Sequence, residues 1–304
     1  MNRAPRGARL PVGHFVDDDG FDGWARYLAA YRDGMSELPP FGALFDVPTS
    51  FGTVRVYRFD GADPSGPPVV LLPGRNASTP MWRANLPGLL TCRTVYCVDL
   101  LGEAGLSVQD KPIGGPDDQA HWLELTLAGL NLGRVHLMGA SIGGWAAVNV
   151  AALRPGRAAS LTLLDPVMTF GRIPVKTLLA SGAMVSPAVP EAWRRRFLSW
   201  LTGGAAVDDS LPEARLVAAA MVGFVFRLPV PKLFTDNQLR GLDIPVLAFI
   251  AGRSVMLRPG PAVGRARKLL RHGQVELWAD ATHAINGEYP GRVAERAHRF
   301  WNAV

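Results

Sequence analysis

Short apolar runs alternate with helical patterns along most of this chain of 304 residues. Such alternation is typical of a mostly parallel β-sheet with helices on both of its faces. The runs predicted as buried strands are Val69–Leu72, Thr94–Val98, Val135–Met138, Leu161–Leu164, Pro245–Ile250 and Gln274–Trp278. Another run, Phe51–Phe59, alternates like an antiparallel edge strand. The predicted helices are Phe21–Leu38, Pro116–Leu130, Ile142–Leu153, Ala262–Leu270 and Tyr289–Trp301. The sequence therefore predicts the α/β class.

The alternation is interrupted after Asp165. Residues 166–242 contain helical pieces rich in Leu, Ala, Trp and Phe, separated by Pro and Gly, and show no clear strand. We interpret this segment as a helical cap inserted between two strands of the sheet. The predicted organisation is an N-terminal arm with a surface helix (1–40), the first part of the core (41–165), the cap (166–242) and the second part of the core (243–304).

The composition is that of an ordinary globular protein, with 48% hydrophobic and 19% charged residues. No run of about eighteen uncharged apolar residues occurs in the sequence, so we expect no membrane partner. The net charge is +6, but the arginines are scattered and accompany no nucleic-acid-binding motif, so we expect no nucleic acid partner. Met1–Leu10 is basic and lacks the apolar region of a secretory signal, which favours a disordered arm.

The two cysteines, Cys92 and Cys97, flank a predicted strand. Five extended residues span roughly 16 Å, whereas a disulfide needs Cα atoms within about 7 Å. We therefore expect both thiols to be reduced, which fits a cytoplasmic protein. The two cysteines and the scattered histidines also show no metal-site spacing, so no metal or other cofactor is predicted.

The motif G-x-S-x-G occurs at Gly139–Gly143, between the predicted strand Val135–Met138 and the helix that begins at Ile142. This is the context that a nucleophile elbow requires. The tight turn forces its central residue into a strained backbone conformation that projects the side chain outward. The pattern predicts Ser141 as a nucleophile, with a bystander serine in a Gly-rich turn as the structural alternative.

A histidine suited to act as the general base follows the last predicted strand. His283 lies in a loop between this strand and the final helix, from which an imidazole can reach the serine hydroxyl. The other histidines lie in a strand, on helices, at a helix end or in the N-terminal arm. We therefore predict His283 as the base.

These motifs resemble the α/β-hydrolase superfamily and, within it, bacterial carboxylesterases of the naproxen-esterase kind. The resemblance covers roughly residues 41–301. It rests on Leu72-Pro73-Gly74, Asp99–Gly102, Gly139–Gly144, Phe234-Thr235-Asp236, and His283 with Glu288 and Pro290. It implies the α/β-hydrolase fold, a mostly parallel eight-stranded sheet with helices on both faces and an inserted helical cap.

The resemblance also implies an oxyanion hole made of two backbone N–H groups. One belongs to Ile142, the residue after the nucleophile. Position matching gives the other to Arg75, although this chain has Pro73-Gly74 where the family usually shows His-Gly. The Arg75 side chain could contact an anionic substrate group or form a surface salt bridge.

The acid of the triad is where this chain departs from the family pattern. The resembled esterases place it in the loop after the strand Pro245–Ile250, but Ser254 occupies that position and no carboxylate lies nearby. One explanation is relocation to Asp165, which ends a neighbouring strand at the same edge of the sheet. The other is loss of the acid, leaving a Ser-His dyad. Asp280 and Glu288 are poorer candidates because they lie so close to His283 in sequence.

The predicted cap supplies aromatic side chains for an apolar substrate pocket. The candidate pocket residues are Asn76, Trp145, Trp193, Phe197 and Phe224, and packing within the cap is the alternative role for its aromatic residues. The leading hypothesis is an esterase that cleaves a small hydrophobic acyl substrate, either as a monomer or as a homodimer. Two alternatives stay open: acyl transfer or cyclisation at the same site, and a ligand-binding module with little turnover.

Overall fold

The computed structural model describes residues 1–6, 9–184, 189–204 and 208–304. The strands are β1 (Arg3–Ala4), β2 (His14–Asp18), β3 (Phe21–Asp22), β4 (Ala43–Thr49), β5 (Gly52–Phe59), β6 (Val69–Leu72), β7 (Val95–Val98), β8 (Val108–Gln109), β9 (Val135–Ala140), β10 (Ala158–Leu164), β11 (Phe224–Val225), β12 (Val246–Ala251) and β13 (Gly273–Trp278). The helices are α1 (Gly23–Ser36), α2 (Leu86–Leu90), α3 (Pro116–Gly129), α4 (Ile142–Leu153), α5 (Val175–Met184), α6 (Glu191–Leu201), α7 (Pro212–Gly223), α8 (Asp236–Arg240), α9 (Pro259–Leu269), α10 (Ile285–Glu288) and α11 (Pro290–Trp301), with a 3₁₀ turn at Thr79–Trp82.

The central sheet has the strand order β13-β12-β10-β9-β6-β7-β5-β4, with the short β8 pairing to β5. From β13 to β7 all neighbours are parallel, whereas β5 pairs antiparallel with both β7 and β4. This mostly parallel path of eight strands confirms the predicted fold class.

One strand assignment in this sheet was wrong. The segment predicted as an edge strand, Phe51–Phe59, contains β5, which lies inside the sheet, and the edge is β4. The apolar side chains of β4 are mostly half-exposed or exposed, so β4 lacks the buried apolar run by which the other strands were found. The polar side chain of Arg55 on β5 is paired across the strands with Asp46.

Successive side chains of the parallel strands enter different hydrophobic clusters on the two faces of the sheet, as the pleat requires. On β6, Val70 and Leu72 belong to one cluster, which also contains side chains of α3, α4 and α9. Val69 and Leu71 belong to the other cluster, with side chains of α1, α2 and α11. Both faces of the sheet are therefore covered.

A second, small sheet joins the N-terminus to the segment between β10 and β12. Its strand order is β1-β2-β11, and β3 pairs with β2. The prediction of a disordered arm at Met1–Leu10 was wrong for β1, although residues 7–8 lie outside the described part. Arg3 is held by ion pairs to Asp17 and Asp22, contacts that no local pattern reveals.

The segment between β10 and β12 contains α5, α6, α7, β11 and α8. Residues 185–188 and 205–207 of this segment are outside the described part. Thr177 on α5 donates a hydrogen bond to the carbonyl of Val255, so this helix is tied to the loop after β12.

Both cysteines are buried free thiols, as their spacing predicts. None of the described helices is both long enough and apolar enough to span a bilayer.

Candidate active site

The predicted elbow is a tight turn between β9 and α4. Ser141 has φ 53° and ψ −117°, a conformation that L-residues rarely adopt and that stores strain. A Cβ on Gly143 would lie 2.0 Å from the carbonyl oxygen of Leu72, and one on Gly139 would lie 2.3 Å from that of Gly143. The two glycines therefore allow the backbone to pack closely enough for Ser141 to occupy this turn.

His283 reaches this serine from the loop between β13 and α10. Its Nε2 lies 2.9 Å from Oγ of Ser141. The loop is braced by Glu288, whose carboxylate accepts hydrogen bonds from both the backbone N–H and the hydroxyl of Thr282. Glu288 thus holds the histidine loop and does not face the imidazole as an acid.

Asp165 follows the last residue of β10 and lies on the other side of the imidazole. Its Oδ2 is 2.6 Å from Nδ1 of His283, and its side chain is fully buried. A carboxylate in this position makes Nδ1 the protonated nitrogen, which leaves Nε2 free to accept the serine proton. The structure therefore brings the predicted nucleophile, base and relocated acid into one chain of contacts.

Two further donors satisfy the buried carboxylate of Asp165. The backbone N–H of Ala251 donates to Oδ1 over 3.0 Å, and the hydroxyl of Ser254 donates to Oδ2 over 2.6 Å. Buried charges are tolerated when they are hydrogen-bonded in this way. Ser254 occupies the position expected for the acid in the sequence and contacts the relocated carboxylate directly.

Asp99 has a different environment from Asp165. Its buried carboxylate accepts hydrogen bonds from the backbone N–H and the hydroxyl of Thr79, from the hydroxyl of Tyr31 and from the backbone N–H of Leu106. Burial raises the pKa of Asp99, and these donors counteract that rise. Asp99 therefore fastens the loops after β6 and β7 and makes no contact with His283.

The loop after β6 passes directly beside the serine. A Cβ on Gly74 would lie 3.6 Å from Cβ of Ser141. The backbone N–H groups of Arg75 and Ile142 donate to no acceptor among the described residues. Asn76, the next residue in this loop, has a positive φ of 60°. The two predicted oxyanion donors thus lie next to the nucleophile with unused hydrogen-bonding capacity.

The predicted pocket residues are dispersed. Trp145 lines a cavity that Arg75 and Ile142 also line, and its Nε1 donates to the carbonyl of Lys232. Asn76 is absent from the residues that line this cavity. The three aromatic residues of the predicted cap lie elsewhere.

For these three aromatic residues the structure corrects the pocket assignment. Phe224 packs in the small sheet at 4.9 Å from the ring of Phe15. Trp193 is 66% exposed, and Phe197 packs against Trp200. Helical spacing alone did not reveal which face of each inserted element points toward the site.

The cavity also contains a residue that the sequence analysis missed. Glu103 is buried at its wall, and Arg75 approaches it with Nη2 3.1 Å from Oε1. Glu103 follows β7, whose carboxyl end lies at the same edge of the sheet as that of β6. That position is the signal that could have identified it.

Among the described residues, no group of three or more His, Cys, Asp or Glu side chains is arranged to hold a metal ion.

Comparison with known proteins agrees with this fold. The family model described as the alpha/beta hydrolase family matches residues 69–296. The chain belongs to this family. The carboxylesterase nap of Bacillus subtilis (strain 168) is 29% identical to this alpha/beta hydrolase over 291 residues, which cover 93% of the chain and 94% of the relative. The carboxylesterase YbfK of the same organism is 25% identical, over 90% of the chain and 93% of the relative.

Solved structures show the same likeness. The crystal structure of naproxen esterase (carboxylesterase NP) from Bacillus subtilis superimposes on this alpha/beta hydrolase with a TM-score of 0.84 at 27% identity. The match covers 93% of the chain and 99% of that structure. Both curated relatives named above match over more than 90% of their length and are carboxylesterases, which supports ester hydrolysis on this fold.

Proposed function

We propose that this alpha/beta hydrolase is a serine carboxylesterase that works through an acyl-enzyme intermediate. The observation that carries the proposal is the continuous chain of contacts from Ser141 Oγ through the imidazole of His283 to the carboxylate of Asp165. An imidazole held between a hydroxyl and a buried carboxylate is the arrangement that activates a serine nucleophile.

In the acylation step, the proton of the Ser141 hydroxyl moves to Nε2 of His283 as the oxygen attacks the carbonyl carbon of the ester. The imidazolium then gives this proton to the departing alcohol oxygen, and the acyl group stays on Ser141. In the second step, water loses a proton to His283 and attacks the acyl carbon. The imidazolium then returns this proton to Oγ of Ser141 as the acyl–serine bond breaks and the acid is released. Asp165 stabilises the imidazolium in both steps and keeps its orientation.

Charge that develops on the carbonyl oxygen is stabilised by the backbone N–H groups of Arg75 and Ile142. Both lie beside Ser141, and neither is engaged elsewhere among the described residues. The first turn of α4 points its partial positive charge at the same place. This role needs only backbone atoms, so the family's missing histidine before Gly74 does not impair it.

The substrate in this proposal is a hydrophobic carboxylic ester. The cavity beside Arg75 and Ile142 has mostly apolar walls, among them Leu100, Trp122 and Trp145. Leu228 to Pro231, from the inserted segment 166–242, also line it. We assign this segment as the cap that roofs the site.

The proposal is tested by hydrolysis of p-nitrophenyl butyrate by the full chain and by its Ser141→Ala variant. We expect turnover by the wild type and none above background by the variant. A fluorophosphonate should add covalently to the wild type and not to Ser141→Ala, as measured by intact mass. Equal turnover by both proteins, or no turnover and no labelling of the wild type, would reject the proposal and favour the ligand-binding alternative.

A further inference from the structure

A cavity of about 30 Å³ lies beside the proposed oxyanion donors. It has room for one small polar group or for one or two waters. Its lining includes Arg75 and Ile142, so it adjoins the place where the ester carbonyl would bind. The wall contributed by Leu228 to Pro231 comes from the inserted segment.

Glu103 is the polar group of this cavity whose carboxylate oxygens lack a well-aligned hydrogen-bond donor among the described residues. It is 2% exposed, and although the guanidinium of Arg75 and the backbone N–H of Asn76 approach it, neither carboxylate oxygen has a described donor that meets full hydrogen-bond geometry. The guanidinium of Arg75 lies 3.1 Å away as an ion pair, outside hydrogen-bond geometry. Buried carboxylates normally have well-aligned hydrogen-bond donors, so this carboxylate can accept a further one.

The charges around Glu103 limit what that donor can be. Burial raises the pKa of Glu103, while the positive charge of Arg75 and the backbone N–H of Asn76 counteract the rise. Because Arg75 is so close, a cationic group would be repelled, and an anionic group would be repelled by Glu103 itself. A neutral hydroxyl avoids both repulsions, since it can donate to Glu103 and accept from Arg75.

We infer that this cavity is a subsite for a neutral hydroxyl group of the substrate, so that the preferred substrate is a hydroxylated carboxylic ester. The inference rests on the proposed esterase function. The hydroxyl donates its hydrogen to the carboxylate of Glu103, and its oxygen accepts from the guanidinium of Arg75.

A site built to bind a hydroxyl discriminates against the analogue that lacks it, because its polar groups are then left unpaired. The experiment compares kcat/KM in two matched pairs of esters. Methyl 3-hydroxybutyrate and methyl butyrate vary the acyl part, while 2-hydroxyethyl butyrate and propyl butyrate vary the alcohol part. We expect a preference of about 10-fold or more for the hydroxylated member of at least one pair.

The variant Glu103→Gln should bring this preference to within about 3-fold of unity. The ratio within a pair is the readout, because a general loss of turnover affects both esters equally. Glu213→Gln is the matched control: Glu213 also pairs with an arginine, Arg83, but it does not line the cavity. This control should keep the wild-type ratio.

Two outcomes would overturn the subsite. A wild-type ratio near unity in both pairs would show that waters alone fill the cavity, and this result does not depend on how well any variant folds. An unchanged ratio in Glu103→Gln, with or without an equal loss of turnover on both esters, would show that Glu103 does not select the hydroxyl. Absence of any Ser141-dependent turnover would instead reject the esterase proposal itself.

Discussion

The hydroxyl of Ser254 donates a hydrogen bond to Oδ2 of Asp165 over 2.6 Å. The same carboxylate oxygen faces Nδ1 of His283 at 2.6 Å. The loop that lacks its expected acid therefore supports a carboxylate supplied by the neighbouring strand β10. Because β10 and β12 are hydrogen-bonded neighbours, acids after either strand can approach one imidazole.

Asp165→Asn should lower kcat for an ester by a factor on the order of 10⁴, because an amide cannot stabilise the imidazolium or enforce its tautomer. The fold should survive, since the Asn oxygen can still accept from the backbone N–H of Ala251. Steady-state kinetics and a thermal melt measure both effects. Asp280→Asn, at an exposed position near His283, is the matched control and should keep full activity. Near-wild-type turnover of Asp165→Asn would show that the site operates without this acid.

Adding Ser254→Asp to Asp165→Asn should recover activity by about 10-fold to 100-fold over Asp165→Asn alone. In the wild type, the hydroxyl of Ser254 lies beside the carboxylate of Asp165. A carboxylate introduced at position 254 would therefore lie close to the place that the Asp165 carboxylate occupies. In the wild-type background, Ser254→Asp should lower thermal stability, because two buried carboxylates repel each other. If the double variant is no faster than Asp165→Asn, the loop after β12 cannot present an acid to His283.

Gly143→Ala should destabilise the fold by about 3 kcal/mol or more, since the added Cβ would meet the main chain of Leu72 and Pro73. Urea denaturation measures this change. The control is Gly264→Ala on the exposed side of α9, where a Cβ has open space. That substitution should stabilise by up to about 1 kcal/mol through helix propensity. Equal stability of the two variants would contradict the steric account of the elbow.

His136 should make stability depend on pH. Burial lowers the pKa of His136 to about 4 from an ordinary value of 6.5, and Arg93 and Arg134 add to this effect. The unfolded chain takes up the proton below pH 6.5 and the folded chain does not. Stability is therefore lost as the pH falls from 6.5 toward 4, by about 3 kcal/mol for this group.

His136→Gln should remove this part of the pH dependence. The measurement is the free energy of unfolding at pH 7 and pH 4.5 by urea denaturation, and the difference between the two values should shrink in the variant. His272→Gln, at an exposed position, is the control and should keep the wild-type difference. An unchanged difference in His136→Gln would mean that other groups cause the acid sensitivity.

Much of the fold and the core of the site follow from local sequence patterns. The apolar runs predict the parallel strands because both faces of those strands are buried, and the elbow motif predicts Ser141 because only small neighbours permit the turn. Asp165 follows from topology, since neighbouring parallel strands end at one edge of the sheet.

The remaining features depend on contacts between distant segments. The edge strand β4 is half-exposed and carries little hydrophobic signal. The pairing of β1, β2 and β11 involves only two or three residues of each strand, too few for periodicity to detect. Phe224 and Trp193 were misplaced because the orientation of the inserted helices is set by their packing, and Glu103 was missed because its burial comes from the folded loop.

The pairing of β2 with β11 also affects how the chain acquires its structure during synthesis. Phe15 pairs with Phe224, 209 positions later. A nascent chain therefore cannot form this pair until more than two-thirds of the polypeptide has left the ribosome. Contacts of such long sequence separation form late and slowly. Strand β2 thus lacks its β11 partner until late in translation. During that interval the side of the Phe15 ring that Phe224 covers in the folded protein stays uncovered.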